Sequence, residues 1–129
     1  MSNYFQAVKK NDVAVVEALD YFNKEYEEAK QEINIKGRNL TECCSTLSSY
    51  YEKRLAQYQE IVAILKHFEI KLNSVRAAVY KHFLESYQRE LSSPDIKIYV
   101  DGDEKVVALQ QVINEIVFVK NKFTKELWI

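Results

Sequence analysis

Residues 40–91 read LTECCSTLSSYYEKRLAQYQEIVAILKHFEIKLNSVRAAVYKHFLESYQREL, without one glycine or proline. Along them Cys44, Leu47, Tyr51, Arg54, Tyr58, Ile61, Leu65, Phe68, Leu72, Val75 and Val79 recur at steps of three and four, with Arg54 the one polar interruption. That period is the seam of an α-helix that lays one face against a partner. Asn39 with Glu42 three residues on forms a variant capping box at its start, and Ser92-Ser93-Pro94 stops it. An unbroken helix from about Leu40 to about Leu91 would span ~78 Å at 1.5 Å per residue. Alone it would expose a whole apolar stripe to water, so other helices or another chain must cover it.

Upstream, Asn11 or Asp12 is a good cap for a first helix over about 12–35. Val15, Leu19, Phe22, Tyr26, Ala29 and Ile33 give it a seam of its own, opposite a largely acidic face with Glu25, Glu27, Glu28 and Glu32. Gly37 ends this helix or its frayed tail. Downstream, serine and proline at Ser93-Pro94 resemble a helix start. We expect a short turn or helix over 95–100, with a strand as the alternative because Ile96, Ile98 and Val100 alternate. Asp101-Gly102-Asp103-Glu104 is a turn that restarts a helix over 104–129. Val106, Leu109, Ile113, Ile116, Lys120, Phe123 and Leu127 carry its period, while Val107, Val112, Val117 and Val119 make further faces apolar. The expected fold is all-α: a single domain over 1–129, an elongated antiparallel helical bundle built around one long central helix and assembled into an oligomer.

Composition narrows the function. With 129 residues, two glycines and one proline, the chain lacks the turns that a compact α/β enzyme requires. It carries no glycine-rich phosphate loop, nucleophile elbow or zinc spacing, and we expect no enzyme and no cofactor. His82 and Glu85 share a helix face, but in the reverse order of a di-iron repeat and without repetition, and Asp101, Asp103 and Glu104 lack the spacing of a calcium loop. No apolar run reaches the ~20 residues of a membrane span. Met1-Ser2-Asn3-Tyr4-Phe5 lacks the regions of a signal peptide, and Asn39-Leu40-Thr41, a glycosylation acceptor in form, has no secretory context. Adjacent Cys43 and Cys44 fit reduced thiols rather than a disulfide framework. We expect a cytoplasmic protein.

Charge is more informative. Residues 1–35 carry four basic and seven acidic groups, and residues 36–91 carry nine basic and six acidic. Lys66, Lys71, Arg76 and Lys81 concentrate the excess, with Tyr80, Phe83 and Tyr87 among or just beyond them. Cations for phosphates and ring faces for bases are what single-stranded nucleic acid binding uses. Steps of five turn ~500° around a helix, so the four cations do not form one stripe. The residues therefore leave two functions open: nucleic-acid binding, and a structural or adaptor coiled coil whose charges serve solubility.

Three stretches carry a family resemblance. Glu85-Ser86-Tyr87-Gln88-Arg89-Glu90-Leu91-Ser92-Ser93, Ile98-Tyr99-Val100-Asp101-Gly102-Asp103, and Ile113 to Phe123 with its Lys120-Asn121-Lys122-Phe123 ending resemble the UvsY recombination mediators of T-even-type phages. The resemblance covers roughly Tyr50 to Phe123. It implies a non-enzymatic oligomer, typically a ring, that binds single-stranded DNA and helps a RecA-like recombinase replace the single-strand-binding protein there. It implies phosphate contacts from Lys66, Lys71, Arg76, Lys81 and Arg89, with weaker candidates in Lys120 and Lys122. Tyr80, Phe83 and Tyr87 become candidates for base stacking, and the setting becomes the host-cell cytoplasm.

Overall fold

The structure, a computed structural model, describes residues 3–32, 40–86 and 92–127, and the side chains of these except at 32, 40–47, 86 and 126. Among the described residues the chain is all-α, with five helices and no strand: α1 (Tyr4–Lys10), α2 (Ala14–Glu32), α3 (Leu40–Ser86), α4 (Ser93–Asp101) and α5 (Glu104–Leu127). The chain divides into two compact units, one of residues 1–64 and 116–129, the other of residues 65–115.

The first unit is built on the expected apolar spacing with local adjustments. On α2, Val15, Ala18, Phe22, Tyr26 and Ala29 are buried, and Ala18 lies deeper than the expected Leu19. The Phe22 ring meets Phe123 of α5 edge-on at 6.2 Å between centroids, the arrangement that the ring quadrupoles favour. Arg54, Gln57, Ile61 and Ile64 of α3 are buried here, together with Ile116, Val119, Phe123 and Leu127 of α5. Three seam positions shift: Tyr51 is exposed and Tyr58 and Lys120 are half-buried, while Gln57 and Val119, neighbours of the last two, are buried. One residue of helix turns the face by about 100°, so a small rotation exchanges neighbouring positions.

Helix α1 is an addition to the expected architecture. Seven residues show too little periodicity to announce a helix, yet Val8 is completely buried and the Phe5 backbone N–H donates to Glu60 Oε1 at 3.2 Å. Tyr4 stacks on Tyr21 at 4.7 Å, which ties α1 to α2. Asn11 ends α1, and its side chain accepts from the Val13 N–H, so α2 starts at Ala14 rather than at 12.

In the second unit the short segment is a helix, not a strand. Ser92 caps α4 by accepting from the Asp95 N–H at 3.3 Å, and Pro94 lies in the first turn. Ile96 and Val100, four apart, are buried while Ile98 between them is 68% exposed. An alternating strand would have put all three on one side. Asp103 then opens α5, its Oδ1 accepting from the N–H groups of Lys105 and Val106. Leu65, Phe68 and Leu72 of α3 and Val106 and Ile113 of α5 complete the buried set of this unit. Helix α3 is described as far as Ser86; the expected extension to Leu91 lies outside the described residues.

Candidate nucleic-acid interface

The second half of α3 carries the basic cluster, and rotation around that helix sorts its members. Leu65, Phe68 and Leu72 define the buried direction. At about 100° per residue, Lys66 and Lys81 straddle the opposite direction, Lys71 falls within about 90° of it, and Arg76 lies about 50° from the buried side. The side chains follow that order. Lys66, Lys71 and Lys81 are exposed, whereas Arg76 is half-buried.

Arg76 is engaged. Its Nη2 is 2.5 Å from Asp101 Oδ1 at the end of α4. Lys81 has Glu85 one turn on, at 4.0 Å between two exposed groups, which is the outer limit of an ion pair and worth little in water. Among the ring candidates, Tyr80 is exposed on α3. Phe83 is half-buried and stacked on Tyr99 of α4, with centroids 5.2 Å apart and planes 26° from parallel. Tyr87 and Arg89 lie outside the described residues. The structure thus brings Arg76 and Phe83 against α4, and leaves Lys66, Lys71, Lys81 and Tyr80 facing outward. Tyr99 and Asp101, the two α4 residues involved, were visible in the sequence only as part of the connector.

The remaining candidates belong to the other unit. Lys122 has a packing role: its amine donates to Asn23 Oδ1 at 3.0 Å and lies over the rings of Tyr26 and Phe118. Lys120 is half-buried, and its carbonyl accepts from the Thr124 hydroxyl.

The same unit holds a polar cluster that Arg54 hinted at. Arg54 is only 3% exposed, and its Nη1 donates to Glu25 Oε2 at 2.6 Å and to Gln57 Oε1 at 2.9 Å. Gln57 in turn donates to Glu25 Oε2 and to the Tyr21 hydroxyl, and Lys53 approaches the same carboxylate at 3.7 Å. Burial works to raise the Glu25 pKa. The hydrogen bonds from Gln57 and Arg54 and the charges of Lys53 and Arg54 outweigh it and hold the carboxyl below its ordinary value. These groups bond to one another across α2 and α3, which is the chemistry of a structural lock.

No group of three His, Cys, Asp or Glu residues suited to a metal ion occurs among the described residues, and no described helix is long and apolar enough to cross a membrane. Comparison of the chain with family models, with curated proteins and with solved structures finds no match.

Proposed function

We propose that this chain is an oligomeric, single-stranded DNA-binding recombination mediator of the cytoplasm. In that role it helps a RecA-like recombinase load onto DNA covered by single-strand-binding protein. Its helices would pack as an antiparallel bundle around α3, with copies associating into the oligomer. The observation that carries the reading is the outward fan of Lys66, Lys71 and Lys81 on one helix beside exposed Tyr80. Ammonium groups on flexible stems neutralise phosphates without reading bases, and a ring adds sequence-tolerant stacking. That is the chemistry a mediator requires, because it must act on any exposed strand. The resemblance of the second half of the chain to phage mediators supports the same role.

A fluorescence-anisotropy titration with labelled single-stranded DNA at two salt concentrations tests it. Binding should weaken steeply with salt, and Lys66→Ala, Lys71→Ala and Lys81→Ala combined should lower the slope of log K against log salt by about 2, at ~0.7 per lost phosphate contact. Light scattering on the same sample should give a mass above that of one chain. A wild-type protein with no affinity near physiological salt sinks the reading.

One observation favours a second reading, a non-catalytic structural or adaptor coiled coil with a protein partner. Ile70 and Leu84 are 70% and 59% exposed, and with exposed Ala77 they recur every seven residues on the outward face of α3. Absence of DNA binding, together with loss of a partner complex on Ile70→Asp, would decide for it.

A further inference from the structure

Two contacts that α4 makes on α3 are of the kinds that a nucleic-acid strand would make. A carboxylate oxygen lies on the Arg76 guanidinium, and an aromatic ring lies flat against Phe83. Carboxylate and phosphate present the same paired oxygens to the guanidinium fork, so either satisfies Arg76. Asp101 is also poorly placed for α4 itself. It is the last residue of that helix, where the dipole disfavours an anion, and the last turn holds no basic residue.

The setting makes the pair exchangeable. Side-chain exposure is 34% for Arg76 and 48% for Asp101, against 4% and 15% for the Arg54–Glu25 pair. Water and salt reach the first pair more readily than the second. Charge over the whole unit agrees: residues 65–115 contain seven basic and eight acidic side chains, so the positive excess of the α3 segment is offset from within.

We infer that Asp101 is an internal stand-in for a backbone phosphate, occupying Arg76 in the unbound protein and giving it up to single-stranded nucleic acid. This rests on the DNA-binding role proposed above and adds its regulation. Each binding event exchanges one anion for another on Arg76, so this residue contributes little net affinity while Asp101 is present. The affinity of the wild-type protein is held down accordingly, which suits a factor that must also release its strand.

The test uses the full chain and a labelled oligothymidine, titrated at several salt concentrations. Asp101→Asn should bind about two- to fivefold more tightly, the equivalent of removing one partly exposed ion pair. Its salt slope should stay close to that of the wild type, because Arg76 reaches a phosphate in both proteins and only the cost of releasing Asp101 is removed. Asp103→Asn removes the same charge two residues away and should gain much less. Arg76→Ala should cancel the Asp101→Asn gain, and should cost far more in that background than in the wild type. If circular dichroism shows that Asn disturbs the helices, Asp101→Ser replaces it. Equal affinity of Asp101→Asn and wild type, or an equal gain from Asp103→Asn, overturns the inference and leaves DNA binding standing. Failure of every protein, wild type included, to bind at low salt removes both.

Discussion

Arg54 Nη1 and Glu25 Oε2 are 2.6 Å apart, joining α3 to α2 through an ion pair set in a largely apolar seam. Arg54 interrupts a run of hydrophobic positions, and a buried cation without an anion beside it would be severely destabilising. Glu25 answers it from an acidic helix face, and Gln57 bridges both. The pair therefore selects one register between α2 and α3. A slip by one helical turn would leave the guanidinium buried without its carboxylate.

Breaking that pair from one side should be costly. Glu25→Leu leaves the Arg54 guanidinium buried without its carboxylate and should lower unfolding free energy by about 3 kcal/mol. Glu25→Leu with Arg54→Met removes both charges and should cost distinctly less, because no unpaired charge remains. Urea denaturation of the wild type and both variants decides it; equal losses would mean that the charges are not coupled.

Stability should also depend on pH through Glu25. Its carboxyl is held below the ordinary value in the folded protein, so the folded state binds that proton less readily than the unfolded chain. The stabilisation is complete above the ordinary glutamate range and is lost as pH falls through the lowered folded value. Thermal melts from neutral pH down to about pH 3 should show a steeper acid loss for wild type than for Glu25→Gln. Parallel curves would remove Glu25 as a source of acid sensitivity.

Gly102 should tolerate alanine. Although it ends α4, its φ of −89° and ψ of −4° suit any L-residue. An added Cβ would meet the Ile98 carbonyl oxygen at 3.5 Å, an ordinary contact. Gly102→Ala should leave stability unchanged or raise it by up to about 1 kcal/mol, through the reduced freedom of the unfolded chain. A clear loss in thermal denaturation would show that the turn needs glycine for another reason.

The candidate site was legible in part. Lys66, Lys71 and Lys81 could be placed outward from their spacing against Leu65, Phe68 and Leu72, because one helix fixes all of those directions. The fate of Arg76 was not legible, since its partner is 25 residues away on another helix. Nor was that of Phe83, whose ring meets Tyr99. Lys122 looked like a spare surface cation and is instead held by Asn23, Tyr26 and Phe118, contacts that only the packing of α5 on α2 creates.

The sequence by itself determined the helical class. Apolar spacing and caps such as Ser92 and Asp103 act within a turn or two of chain, so they are written where they act. Only the tertiary structure decided which polar residues of the seams are buried, why Gln57 turns further inward than Tyr58, and that Arg54 and Arg76 have Glu25 and Asp101 as partners. Those outcomes depend on which helix lies alongside and at what rotation. A single residue of offset swings a side chain by about 100°, and no local pattern records it.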